Sequence, residues 1–119
     1  MDRTERLPNF RRGVMPLVIL ALLRQKDMYG YQLVQETERL SSGKLTTQEG
    51  SLYPVLYKLL DQGYISDRRE RVGKRMTRIY YHLEPAGEVY LLELVREYES
   101  VTQGVIDIIA GKKGESNEQ

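Results

Sequence analysis

Between Pro85 and Ala110 a single helix-length stretch carries two apolar stripes, and few folds can use both. Leu91, Leu94, Tyr98, Val101, Val105 and Ile108 step by 3, 4, 3, 4 and 3 residues, the heptad spacing that keeps side chains on one helical face. Leu92, Val95, Thr102, Ile106 and Ile109 make a neighbouring stripe, interrupted by the threonine. With 119 residues the chain reads as one domain, which can cover one stripe with its own core but has little left for the other. The expectation is a homodimer in which the long helix meets a twofold-related copy, with Leu91, Leu94, Tyr98, Val101, Val105 and Ile108 as the candidate dimerisation residues. The competing arrangement packs the whole helix on its own domain.

The stretch Thr46–Gly63, TTQEGSLYPVLYKLLDQG, has the opposite character. Leu52, Val55, Leu56, Leu59 and Leu60 form one buried helical stripe. Ser51, Tyr53, Pro54, Tyr57, Lys58 and Asp61 lie between them, a hydroxyl-rich face with one cation that suits a polar, polyanionic partner. Thr46 and Glu49 have capping-box spacing, which starts the helix early and leaves Pro54 inside it. If Ser51 is the cap instead, Pro54 falls harmlessly in the first turn. Gly63 ends the helix in either case.

Upstream, a first helix is expected from near Asn9 to about Gln25, carrying Val14, Leu17, Val18, Leu20, Ala21 and Leu23, with Pro16 tolerated near its first turn. Arg11 and Arg12 ahead of this run imitate a signal peptide. No small-residue cleavage site follows, however, and about ten apolar residues are too few to span a bilayer, so a buried helix of a cytoplasmic, non-membrane protein is expected. A second amphipathic helix, marked by Leu33, Val34, Thr37 and Leu40, stops at Ser41, Ser42 and Gly43. Two helices and a turn before a third is helix-turn-helix arithmetic.

Residues 64–70 and 78–83 are short β-branched and aromatic segments joined across Val72, Gly73 and Lys74, which predicts a β-hairpin. Its cations Arg68, Arg69, Arg71, Lys74, Arg75 and Arg78 outnumber Asp67 and Glu70, and alternation places several of them on the solvent side and at the tip. Net charge is only +1, but residues 1–83 hold 15 Lys and Arg against 9 Asp and Glu, a balance of +6, whereas residues 84–119 hold 3 against 8, a balance of −5. A basic body with an acidic final helix is the asymmetry expected when one part meets phosphate and the other does not.

The fold class that follows is mainly α with a small β-hairpin. It comprises a winged helix-turn-helix over 1–83, a long C-terminal dimerisation helix over 84–110, and a disordered tail over 111–119. Catalysis and metal or cofactor chemistry find no support. Cysteine is absent, the single histidine, His82, sits in the second strand as a half-buried residue with no partner ligand in reach of the sequence pattern, and no nucleophile elbow or phosphate-binding glycine loop is present.

Several short motifs occur together in order. They are Tyr29-Gly30-Tyr31, Gly50-Ser51-Leu52-Tyr53-Pro54, Gly63-Tyr64-Ile65, and Arg78 with Tyr80-Tyr81-His82-Leu83 and Gly87. On these the chain resembles the PadR family of transcriptional regulators, in its compact form with one C-terminal helix, from about Arg12 to Ile109. The resemblance implies a bacterial dimer, usually a repressor, that binds an inverted repeat in double-stranded DNA and releases it when a small, often aromatic effector binds. It implies that Ser51, Tyr53, Pro54 and Lys58 enter the major groove, that Tyr29 and Lys44 approach phosphates, and that Lys74 and Arg75 sit at the wing. With Gly50 from the motif, Tyr57 from the polar face and Arg78 from the hairpin, these are the candidate DNA-binding residues. The motif around Pro54 favours a third helix from about Thr47 with a local distortion. Glu84 departs from the family's usual capping threonine, and without Trp an aromatic effector would stack on Tyr or on Phe10. The rival reading is a winged-helix adaptor working through protein contacts, whose signature would be a neutral wing and an apolar exposed third helix.

Overall fold

The computed structural model describes residues 9–111. The Asn9 side chain accepts the Arg12 backbone N–H at 3.1 Å and closes a short 3-10 turn, Arg12–Val14. The first α-helix, α1, therefore spans Met15–Gln25 instead of starting near Asn9, and Pro16 falls in its first turn, where its missing N–H costs nothing. Met15, Ile19, Leu20, Leu22 and Leu23 of α1 are buried, which makes this helix the middle of the core.

After a tight turn, Met28–Tyr29 forms a two-residue strand, β1, and α2 runs over Gly30–Leu40. Ser42 (φ 54°) and Gly43 (φ 80°) adopt left-handed conformations, and the Gly43 N–H reaches the Glu38 carbonyl, so the stop expected at Ser41–Gly43 is present. Helix α3 covers Glu49–Asp61, with Leu52, Leu56 and Leu59 against α1 and α2. It starts later than Thr47, its N-cap is Gln48 with no side-chain cap bond, and so the Thr46–Glu49 capping box does not form. Glu49 is occupied by another partner, described below. Pro54 lies inside the helix as expected, and the residue four before it, whose carbonyl a proline ring crowds, is Gly50.

Strands β2 (Ile65–Arg71) and β3 (Thr77–Leu83) form the predicted hairpin. The sheet is three-stranded and antiparallel, in the order β1-β3-β2, because Met28 pairs with Tyr81 and Tyr29 with Tyr80. Ile65, Tyr81 and Met28 face the core, and the Tyr81 hydroxyl, desolvated there, has its pKa pushed up to about 12. The result is a mainly helical winged helix-turn-helix with a small sheet.

Helix α4 occupies Pro85–Ile109. Its first turn presses on the start of the wing so closely that a Cβ at Gly87 would lie 2.0 Å from the Tyr64 carbonyl oxygen. The Tyr64 and Tyr90 rings stack at 4.2 Å, and Arg24 of α1 pairs with Glu88. Glu84 is the N-cap but makes no cap bond, its carboxylate accepting the Ser66 hydroxyl instead. Leu91, at 2% exposure, belongs to the domain core and is not available to a second chain, which corrects its place among the dimerisation residues; Leu94 is half-buried against the same core. Beyond Val95 the helix runs alongside the N-terminal turn and leaves most of its apolar side chains exposed. The expected tail lies outside the described residues apart from Gly111.

Candidate nucleic-acid interface

Helix α3 is amphipathic about a sharp boundary. Leu52, Leu56 and Leu59 are buried, while Gly50, Ser51, Pro54, Tyr57, Lys58 and Asp61 are exposed. Tyr57 is 61% exposed, a large ring held in water by a helix that buries Leu52, Leu56 and Leu59 almost completely. Gly50 lies in the first turn with nothing within 4 Å of where a Cβ would stand, so the fold itself sets no requirement for glycine there.

Tyr53 behaves differently from its neighbours. It is half-buried, its ring stacks on Tyr57 at 6.0 Å, and its hydroxyl donates to the Glu49 carboxylate at 3.1 Å. The same hydroxyl sits 2.8 Å from an ideal Cβ on Gly30, which explains that glycine: any side chain at the first residue of α2 would push Tyr53 away. Burial, then the bond to Glu49, holds the Tyr53 pKa above its ordinary value. The residue thus ties α3 to the start of α2.

The loop before α3 is braced from the N-terminal side, where Arg11 Nε donates to the Lys44 carbonyl at 3.0 Å. The Lys44 side chain remains exposed. Between this brace and the leading end of α3 lies a polar cleft lined by Arg11, Arg12, Thr46, Gln48 and Ser51.

In the sheet, strand alternation collects Tyr29, Arg78, Tyr80 and Arg68 on the face turned away from the core. The Arg78 guanidinium lies 4.2 Å from the centre of the Tyr29 ring, Tyr29 meets Tyr80 edge-on at 5.5 Å, and Arg68 lies 5.3 Å from the Tyr80 ring centre. Arg68 is also bonded to Asp27 and to Glu70, and the Asp27 carboxylate lies 2.8 Å from His82 Nδ1. His82 is exposed on this outer face, not half-buried, because its strand neighbours Tyr81 and Leu83 take the inward positions. Burial raises the Asp27 pKa, but hydrogen bonds and charge from His82 and Arg68 outweigh it and leave the carboxyl below its ordinary value.

The expected cations therefore divide. Arg68 and Arg78 are committed to the aromatic and acidic partners that stiffen the sheet, whereas Lys74 and Arg75 at the tip, and Lys58 on α3, are exposed and form no ion pair among the described residues. The tip itself turns at Gly73 (φ 86°) and is pinned by Val72 N–H to Met76 carbonyl and by Arg71 to the Lys74 carbonyl. Sequence reasoning missed Glu49 as a member of this surface, although its spacing of four from Tyr53 on one helical face signals the pair.

A second surface is apolar. Phe10, Gly13, Val14 and Leu17 on one side and Leu94, Tyr98, Val101, Val105 and Ile106 on the other line a groove of about 500 Å³. Tyr98, Val101 and Val105 are about half exposed and Ile108 and Ile109 are 80% and 79% exposed, far beyond the scattered apolar residues of an ordinary surface. Among the described residues no cluster of His, Cys, Asp or Glu could hold a metal ion, and no helix is long and apolar enough to cross a membrane.

Comparison with known proteins places these surfaces in a family context. The model of the Transcriptional regulator PadR-like family matches residues 19–93. An uncharacterised protein of Lysinibacillus sphaericus is 33% identical over 97 residues, 82% of this chain and 88% of the relative. The negative transcriptional regulator PadR of Bacillus subtilis is 26% identical over 94 residues, 79% of this chain but 52% of that protein, so the chain spans about half its length. The crystal structure of Bacillus subtilis PadR in complex with operator DNA matches with a TM-score of 0.65 at 27% identity, covering 69% of this chain and 46% of that one.

Proposed function

The chain belongs to the PadR-like family of transcriptional regulators, and on that premise we propose that it binds operator DNA as a homodimer and represses transcription. The observation that carries this reading is the exposed face of α3, where Gly50, Ser51, Pro54, Tyr57 and Lys58 project beside a wing whose tip cations Lys74 and Arg75 have no acidic partner among the described residues. In this reading α3 enters the major groove, and Gly50 is left bare so that backbone can approach the DNA. Lys58, Lys74 and Arg75, with Lys44 and Tyr29 at the flank, contact phosphates and release condensed counterions. Arg78 acts through Tyr29, whose ring it covers. Tyr53 contributes by fixing the helix and its Glu49.

In this reading residues 9–83, together with the covered start of α4, form the reading domain. The exposed part of α4, through Tyr98, Val101, Val105 and Ile108, packs against a second copy and sets the two α3 helices about one helical turn of DNA apart, so that the operator is an inverted repeat. The operator-bound structure of Bacillus subtilis PadR and that protein's description as a negative regulator support the DNA and repressor parts of the proposal. The apolar groove beside α4, with Phe10 and Tyr98 in its wall, is the natural place for a small aromatic effector, whose differential binding would alter the spacing of the reading helices. A site of action in the cytoplasm follows from this role.

The test is binding of the purified chain to duplexes drawn from the flanks of its own gene. The proposal expects a salt-dependent preference for an inverted repeat over random duplex, with Lys74→Glu combined with Arg75→Glu weakening binding to all sequences alike. Equal affinity for every duplex at every salt concentration would refute it.

A further inference from the structure

Helix α3 opens with an acid. Glu49 is its first residue, is exposed, and forms no ion pair among the described residues. In Thr46–Gly63 the charged residues are Glu49, Lys58 and Asp61, so the helix proposed to meet a polyanion carries more acid than base, with one acid at its leading end. A carboxylate there repels phosphate, and the helix N-terminal dipole that stabilises it on the free protein does not remove that repulsion. It also does not hang freely. The Tyr53 hydroxyl donates to Glu49 Oε2 at 3.1 Å, and that hydroxyl is itself wedged against Gly30. One carboxylate oxygen is already engaged by Tyr53 before any DNA arrives, and the other is left to solvent.

We propose that Glu49, presented by Tyr53, is a specificity-determining residue that accepts a hydrogen bond from the exocyclic amino group of a cytosine in each half-site. This rests on α3 being the helix that enters the groove. An acceptor-only carboxylate can use only donors, and the major-groove edge offers two: the cytosine N4 amino group and the adenine N6 amino group. Adenine places its N7 acceptor beside the donor, where it repels a carboxylate, and guanine and thymine present acceptors alone to this edge. Cytosine is the base whose own edge offers a donor without an acceptor. Tyr53 is then a positioning residue: with its hydroxyl committed to Glu49, it sets where the acid points and leaves Tyr57, exposed on the next turn, as the ring that faces outward.

The substitution Glu49→Gln makes the inference sharp. A carboxamide keeps an acceptor for the Tyr53 hydroxyl but adds donors, and glutamine pairs in bidentate fashion with the N6 and N7 of adenine. Affinity of the full chain would be measured on a set of duplexes differing by one base pair at each half-site position, at one salt concentration. The expected result is a preference of about tenfold for cytosine at one position of each half-site in the wild type, shifted toward adenine in Glu49→Gln. Tyr53→Phe keeps the ring but removes the hydroxyl, and should flatten the preference at that same position while leaving the others unchanged. A purely structural Tyr53 would lower stability or overall affinity without moving one base position. If Glu49→Gln raises affinity for every duplex equally, Glu49 is only a repulsive charge and the inference fails while the DNA-binding reading stands. A wild type that prefers no duplex over another overturns both.

Discussion

The two ends of α4 share one heptad stripe and have different fates. From Pro85 to Val95 the helix is built into its own domain: Gly87 is pressed against the Tyr64 backbone, Tyr90 stacks on Tyr64, and Leu91 is 2% exposed. From Arg96 onward the same repeat continues largely uncovered, and Ile108 is 80% exposed. Heptad spacing records that a face is apolar; it does not record which chain covers it. The glycines repeat the contrast. Gly30 and Gly87 are demanded by neighbours inside the fold, whereas Gly50 meets nothing within 4 Å. Where the chain accounts for a residue through its own contacts, that residue serves the fold; for Gly50, which the fold leaves bare, the proposal assigns the reason to a partner.

The largest expected effect comes from breaking the covered end. Leu91→Ala should destabilise the fold by about 2–5 kcal/mol, and Gly87→Ala, whose Cβ would meet a backbone carbonyl, by about 3 kcal/mol, both read by denaturant unfolding at any protein concentration. On the bare end, Val105→Asp should leave the unfolding of the isolated domain nearly unchanged but abolish the concentration dependence of thermal melting that a dimer confers. Equal losses from the two ends would erase the distinction between them.

Next in size is the glycine pair. Gly30→Ala displaces the Tyr53 hydroxyl and should cost about 1–2 kcal/mol of stability. Gly50→Ala, in the first turn of an exposed helix, should raise stability by up to about 1 kcal/mol while weakening DNA binding. A Gly50→Ala variant that binds DNA as well as the wild type would show that its bareness serves no partner.

The smallest effect concerns the Asp27 junction, a covered feature at the surface. Because the folded-state pKa of Asp27 is depressed, its contribution is present above the ordinary carboxylate value of 3.8 and is lost as the pH falls through the lower folded value. Asp27 is part-exposed, so the effect is screened, and Asp27→Asn should cost about 0.5 kcal/mol at neutral pH. The variant should also show a flatter acid limb in a pH series of melting temperatures. An unchanged acid limb would mean that the contacts with His82 and Arg68 do not hold the turn to the wing.

Much of this architecture is legible in the sequence. The helical stripes, the stops at Gly43 and Gly63, the hairpin and the basic tip each follow from local spacing or turn chemistry, and the structure has them. What was not legible depends on contacts between distant segments. The strand Met28–Tyr29 is two residues long and exists only because Tyr80 and Tyr81 are there to pair with it. Leu91 reads as a dimer contact until the core is seen to claim it. The late α1 start reflects a separate 3-10 turn, Arg12–Val14, that Asn9 closes ahead of it, and the α3 start reflects Glu49 serving Tyr53 in place of Thr46. In the candidate interface, residue types and spacing pointed to the face of α3 and the wing tip. They did not show that Tyr53 binds its hydroxyl to Glu49 and lays it against Gly30, or that Arg68 and Arg78 are absorbed by Asp27, Glu70 and Tyr29.

The central claim is that the bare end of α4 and the bare face of α3 act together, one pairing two copies and the other reading DNA. The most direct measurement compares binding of the wild type and of Val105→Asp to an inverted repeat and to a single half-site, with the mass of each protein in solution determined alongside. The account predicts a dimeric wild type that strongly prefers the full repeat, and a folded monomeric variant that binds repeat and half-site with the same weak affinity. A monomeric Val105→Asp that keeps the full preference for the repeat, or a wild type that is itself a monomer when bound, would contradict it.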